Sequence, residues 1–113
     1  MQTLRHTAAF DSAARVLTEA ALTAALETIA RGPERGDLIP GTGGVRKLRI
    51  AASGRGKRGG ARVIYYFFDE HNPIYLLTVF AKNERSDISA AERNALRRLT
   101  AAMKAEMRAR RRR

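Results

Sequence analysis

Lys47 and Arg49 stand two residues apart in the stretch Val45-Arg46-Lys47-Leu48-Arg49-Ile50-Ala51, alternating with Leu48 and Ile50. Successive side chains of a strand point to opposite faces, so this spacing predicts a strand over residues 45–51 with one core face and one cationic face. Arg62 follows on the next apolar stretch, across a basic, glycine-rich turn at 53–60 that adds Lys57 and Arg58. Lys82 closes the stretch after that. A hairpin register brings Arg62 near Lys47 and Arg49. A sheet face gathering these cations draws a phosphodiester backbone and holds it by charge-assisted hydrogen bonds.

RNA cleavage at such a face has three needs. The 2′-hydroxyl must be deprotonated, the phosphorane's extra negative charge stabilised, and the departing 5′-oxygen protonated. No histidine or carboxylate is well placed for these roles. A free lysine ionises near ~10.4, but neighbouring like charges disfavour its protonated form and lower that value. Arginine stays charged and serves as a phosphate clamp. Tyr65 or Tyr66 could stack on a base or donate a hydrogen bond. The blander alternatives are a solvated basic face and a core role for Tyr65, Tyr66, Phe67 and Phe68, of which alternation sends about half inward. The turn Gly54-Arg55-Gly56-Lys57-Arg58-Gly59 lacks both the spacing of a phosphate-binding loop and the hydroxyl residue after its lysine. His6 and His71 read as surface or turn residues.

The chain has 113 residues and a mass of 12.5 kDa, enough for a single core. Hydrophobic residues make up 44%, too many for a disordered chain. No apolar run approaches the ~20 residues of a membrane helix, and Met1 to Phe10 lacks the pattern of a secretory signal, so a cytoplasmic location is expected. Cysteine is absent and histidine occurs twice, which excludes disulfides, thiolate nucleophiles and a histidine-rich metal centre; no metal or other cofactor is expected. The net charge is +11. Residues 38–68 carry +7 and residues 104–113 carry +5, leaving −1 for the rest. Two concentrated cationic regions on a nearly neutral domain point to a polyanionic partner.

The elements that must position the cations follow from periodicity. Residues 3–9 have strand character, and Asp11 or Ser12 can cap a short helix at 12–17. Thr18 can cap a second, whose stripe is Leu22, Leu26 and Ile29 and which Gly32 and Pro33 end. Residues 34–44 read as turn and loop. Residues 61–69 read as a buried central strand and 74–81 as the last strand, joined by a turn at Asp69 to Pro73. Ser89 and Glu92 form a capping box for a helix over 90–107 with Leu96, Leu99, Met103 and Met107 on one face. The fold class is α+β: an antiparallel-dominated small sheet with two N-terminal helices and a C-terminal helix packed on it. One domain is expected over residues 1–107, with 108–113 a loose basic tail.

Three stretches together carry a resemblance. They are Gly36-Asp37-Leu38-Ile39-Pro40-Gly41-Thr42-Gly43-Gly44-Val45-Arg46-Lys47-Leu48-Arg49, then Gly54 to Tyr66 with its Gly-Lys-Arg-Gly-Gly-Ala-Arg core, then Tyr75-Leu76-Leu77-Thr78 with Lys82-Asn83-Glu84-Arg85-Ser86-Asp87. Over about residues 34–100 the chain resembles the HigB branch of the RelE/ParE superfamily of bacterial toxins. The resemblance implies a RelE-like domain and a type II toxin–antitoxin toxin that cleaves mRNA in the ribosomal A site without metal. It implies as partners the ribosome, mRNA and a cognate helix-turn-helix antitoxin. Arg62 matches the family's phosphate-binding arginine; Lys47, Arg49 and Lys82 match its basic residues. These four are the expected catalytic group, with Arg46, Lys57, Arg58, Tyr65, Tyr66 and Asn83 expected to bind substrate. Asn83 and Ser89 stand where the RelE branch has arginine and tyrosine, so Lys57, Arg58 or a ribosomal group is left to protonate the leaving oxygen. The alternatives are a ParE-like DNA gyrase poison and a non-catalytic RNA- or ribosome-binding module.

Overall fold

The computed structural model describes residues 2–51, 60–85 and 87–111. Its sheet is built around Ala61–Tyr66, a strand whose six residues are all buried. Val63, Ile64, Tyr65 and Tyr66 fit a pleated surface well. Because both faces of this strand are covered, apolar residues run on where a half-exposed strand would alternate. Among the described residues the strands are β1 (Leu4–His6), β2 (Asp37–Leu38), β3 (Val45–Ile50), β4 (Ala61–Tyr66) and β5 (Ile74–Ala81). They lie in the order β1-β5-β4-β3-β2, with β4 central as expected. β2 to β5 pair antiparallel, and β1 runs parallel to β5 at the edge. The domain is thus α+β, with a mixed, mostly antiparallel sheet. The two residues of β2 lie inside the stretch read as loop. They pair with Arg46 and Lys47, and Ile39 N–H donates to Val45 C=O beyond them.

Helices α1 (Ala8–Ala13) and α2 (Glu19–Arg31) cover one face, joined by a short 3-10 turn at Ala14–Val16. Phe10, Ala25 and Ile29 meet Val63, Tyr65, Leu76 and Val79 there. Each large apolar side chain so buried contributes about 1.5–3 kcal/mol. Thr18 caps α2 as its sequence predicts, its hydroxyl accepting from Ala21 N–H. The first helix starts earlier than expected. Thr7, not Asp11 or Ser12, accepts from Phe10 N–H, and the same hydroxyl donates to Leu76 C=O on β5. That tertiary bond selects Thr7, and Asp11 falls in the first turn, where an acid is also favourable.

Helix α3 (Ala90–Arg111) covers the opposite face. Leu96, Met103 and Met107 pack on Val45, Ile64, Tyr66, Leu77 and Phe80. The predicted capping box forms: Ser89 Oγ accepts from Glu92 N–H, and Glu92 Oε1 accepts from Ser89 N–H at 2.7 Å. Two expectations need correction. Leu99 is 43% exposed, and its expected place is taken by Thr100, which donates to Thr42 C=O at 2.8 Å. The helix also runs past residue 107 through Arg111, so residues 108–111 are helical and not a loose tail. Ion pairs of Arg110 with Glu106 and of Arg111 with Asp69 hold the last turn. The β4–β5 turn forms on Asp69, whose Oδ1 accepts from the N–H groups of His71 and Asn72.

Candidate nucleic-acid interface

Register decides which cations share a face. Arg49 lies directly opposite Arg62, which lies opposite Phe80 on β5; Lys47 lies opposite Ile64. Directly opposed residues point the same way, so Lys47, Arg49 and Arg62 all belong to the α3 face. The sheet residues beneath α3 run from Phe80 and Ile64 to Tyr66 and Val45. The row Arg49, Arg62, Phe80 thus lies at the end of the face where α3 begins. Arg49 is exposed, whereas Arg62 retains only 7% of its accessible surface. The face is therefore less open than its sequence suggests: Arg62 forms its floor, and Arg49 and Lys47 its rim.

Lys82 follows β5, and its N–H donates to Gly60 C=O at 2.8 Å, which ties it to the residues just before Arg62. A Cβ built on Gly60 would lie 3.9 Å from Arg62 Nη1, so the guanidinium reaches the base of the basic turn. Lys82 and Asn83 are both exposed in the turn after β5. Lys57 and Arg58 lie outside the described residues.

Three expected binding residues stand elsewhere. Arg46 points to the α2 face, where its Nη1 donates to the carbonyls of Glu34 and Gly36 at 3.1 and 2.8 Å. It stitches the loop after α2 to β3 and is not part of the cationic face. Tyr65 is fully buried on that same side, its hydroxyl donating to Pro33 C=O and accepting from Gly36 N–H. Tyr66 is buried under α3 beside Met107, and burial pushes its phenol up to about 12. Neither tyrosine offers a ring face to a nucleic-acid base in this arrangement. The alternation rule spared half of the aromatic run for solvent, but α3 covers the half that α1 and α2 do not.

The loop from β5 into α3 supplies what the residue-type argument missed. Asp87 Oδ1 lies 3.4 Å from Lys47 Nζ and accepts from Ile88 N–H, while Oδ2 lies 3.7 Å from Arg93 Nη2. The Ile88 hydrogen bond, then Lys47 and Arg93, hold the Asp87 carboxyl below its ordinary range against partial burial. Lys47 therefore faces a fixed negative charge, where sequence reasoning surrounded it with cations alone. Arg85 stacks 4.6 Å over the Phe80 ring, next to the Arg62 row, and both carboxylate oxygens of Glu92 accept from it. Those bonds, with Ser89, hold Glu92 below its ordinary range. Arg85 and Asp87 sit inside the stretch 82–87 that carries the resemblance, and Glu92 inside the capping box. Their pairing across elements has no signature along the chain.

The end of the sheet thus combines a floor guanidinium on β4, two rim cations on β3, Lys82 in the turn after β5 and a flanking arginine–carboxylate network. It can bind a phosphodiester by charge and hydrogen bonding. Among the described residues no group of three His, Cys, Asp or Glu side chains is placed to hold a metal ion, and no helix is long and apolar enough to cross a membrane.

A family model described as RelE toxin of RelE / RelB toxin-antitoxin system matches residues 3–111. The chain belongs to the RelE toxin family. The match spans every element from β1 to α3, the helical residues 108–111 included. As a RelE-family toxin, the protein is the toxin half of a type II pair whose family partner is the RelB antitoxin. The cationic end of its sheet lies within the matched residues.

Proposed function

We propose that this RelE-family toxin is a HigB-like, ribosome-dependent mRNA endoribonuclease that stops translation by cutting the message in the A site. The observation that supports this best is the register placing Arg49 against Arg62, with Lys47 two residues along the same face. In the proposed reaction the 2′-oxygen of the substrate attacks the adjacent phosphorus and the bond to the 5′-oxygen breaks. The products are a 2′,3′-cyclic phosphate and a 5′-hydroxyl. Arg62 and Arg49 neutralise the charge that grows on the phosphoryl oxygens, the role for which a fixed guanidinium is suited. Lys47 and Lys82 flank the scissile phosphate and are the candidates for moving the two protons, with Lys57, Arg58 or a ribosomal group completing the set. Asn83 contacts the substrate from the turn. The cognate antitoxin carries a helix-turn-helix and represses the shared operon.

Brief induction followed by mapping of transcript 5′ ends tests this reading. New 5′ ends within reading frames, confined to translated messages, are expected. Intact transcripts with DNA breaks would instead assign the fold to a gyrase poison, and intact transcripts with ribosome-bound protein to a binding module.

A further inference from the structure

Helix α3 carries a second cationic array. Arg93, Arg97, Lys104, Arg108 and Arg111 fall at i, i+4, i+11, i+15 and i+18. At 3.6 residues per turn these positions lie within an arc of about 60° on one flank of the helix. The helix's acids Glu92 and Glu106 lie on the other flank, Glu106 with Arg110 beside Tyr75 and Arg5 of the sheet edge and Glu92 bonded to Arg85. The cationic flank faces β3 and the loop before it. Arg93 shares Asp87 with Lys47, a Cβ built on Gly43 would lie 3.8 Å from Lys104 Nζ, and Arg108 lies 5.8 Å over the Phe68 ring. Among the described residues two carboxylates reach this flank, Asp87 and Asp69, and both are already paired, with Lys47 and Arg93 and with Arg111. Among the described residues Arg97, Lys104 and Arg108 have no ion-pair partner.

We propose that this flank of α3 is an RNA-backbone track, continuous with the Lys47–Arg49 rim, that holds a phosphodiester chain independently of its sequence. From Arg93 to Arg108 it extends about 22 Å at 1.5 Å per residue, several phosphates along a strand. The helix offers long, flexible cations here with no aromatic or amide groups suited to reading bases, so affinity comes from counterion release. Arg93 joins the track to the site because one carboxylate holds it and Lys47 together. The inference rests on the nuclease reading only for the identity of the polyanion as RNA; the track itself is read from α3.

The test compares two triple variants of equal charge. One is Arg97→Gln/Lys104→Gln/Arg108→Gln; the other is Arg15→Gln/Arg31→Gln/Arg35→Gln, on exposed positions of the opposite side. Binding is measured over a salt series to an unstructured single-stranded RNA and to ribosomes without message. The α3 triple is expected to bind about tenfold more weakly, with a log–log salt slope shallower by about 2, as three lost phosphate contacts require. The control triple loses far less. The double Arg97→Lys/Arg108→Lys keeps both affinity and slope and shows that charge is read and not a side-chain shape. A defect on the free strand assigns the track to the message, and one confined to ribosomes assigns it to ribosomal RNA; either supports the proposal. Equal losses in the two triples overturn it, as does a loss of affinity for an acidic polypeptide with RNA binding intact. Because binding is read without cutting, a chain that cuts nothing yet shows the α3 defect removes the nuclease reading and leaves the track standing.

Discussion

Arg49 and Arg62 oppose each other across β3 and β4 on the face that α3 only begins to cover. One is exposed and the other nearly buried. The two therefore answer differently to substitution. Arg49→Ala removes a rim cation with no cost to the core, so its thermal midpoint stays within a few degrees of the parent. If the guanidinium stabilises the transition state, cleavage on programmed ribosomes slows by about 10²–10³, the loss seen when one oxyanion donor is removed. Single-turnover kinetics with a melting curve on the same sample checks both halves.

The two tyrosines of β4 differ in a way that unfolding can read. Tyr65 hydroxyl makes two hydrogen bonds, to Pro33 C=O and from Gly36 N–H, and holds the loop after α2 against the sheet. Tyr65→Phe leaves those backbone groups short of a partner and costs about 1–3 kcal/mol. The buried Tyr66 hydroxyl has no hydrogen-bond partner among the described residues. Tyr66→Phe is expected to be neutral or slightly stabilising in the same urea titration. Neither change alters cleavage of the folded protein, since neither ring meets the substrate.

Gly43 packs against α3 with no room for a side chain. Its φ is +77° and a Cβ there would overlap Thr100 Oγ1, which is bonded to Thr42 C=O in a buried position. Gly43→Ala combines left-handed strain of roughly 1–2 kcal/mol with overpacking of about 1–3 kcal/mol. A large drop in the urea midpoint is expected. Gly41 has a similar φ of +79° but open space around it, so Gly41→Ala pays the backbone strain alone and falls between the parent and Gly43→Ala.

Acid and alkali act on different parts of the α3 face. Asp87 and Glu92 are held below their ordinary carboxyl range in the folded chain. Their stabilising contribution is complete above their unfolded values, near ~4, and is lost as pH falls through the lower folded ones. Tyr66 is raised to about 12, so its contribution is complete below the unfolded value, near ~10, and is lost as pH climbs toward the folded one. Urea midpoints measured across pH should fall at both ends. Asp87→Asn flattens the acid limb, and Tyr66→Phe flattens the alkaline one.

Much of this architecture is legible along the chain, for reasons that differ by element. β5 has the bounds its apolar run predicts, 74–81, because a turn of its own lies at each end. The capping box at Ser89 and Glu92 is local chemistry and forms as written. The start of α1 is not local: Thr7 wins because its hydroxyl also reaches Leu76 on β5. Alternation correctly set Lys47 and Arg49 on one face, and by the same rule it placed Arg46 on the other, where α2's loop claims it. The link from Asp87 to Lys47 joins residues 40 apart and exists only once α3 is docked.

What the Arg49–Arg62 row does to a bound message is open to direct measurement. The deciding measurement is single-turnover cleavage of a defined mRNA on purified ribosomes by the parent, Arg49→Ala and Arg62→Lys. Folding of each is verified by its melting curve, and the product ends are identified. The parent is expected to leave a 2′,3′-cyclic phosphate and a 5′-hydroxyl, and both variants to lose cutting with ribosome binding retained. Cutting that proceeds at the parental rate in folded Arg49→Ala and Arg62→Lys would contradict a catalytic role for the row.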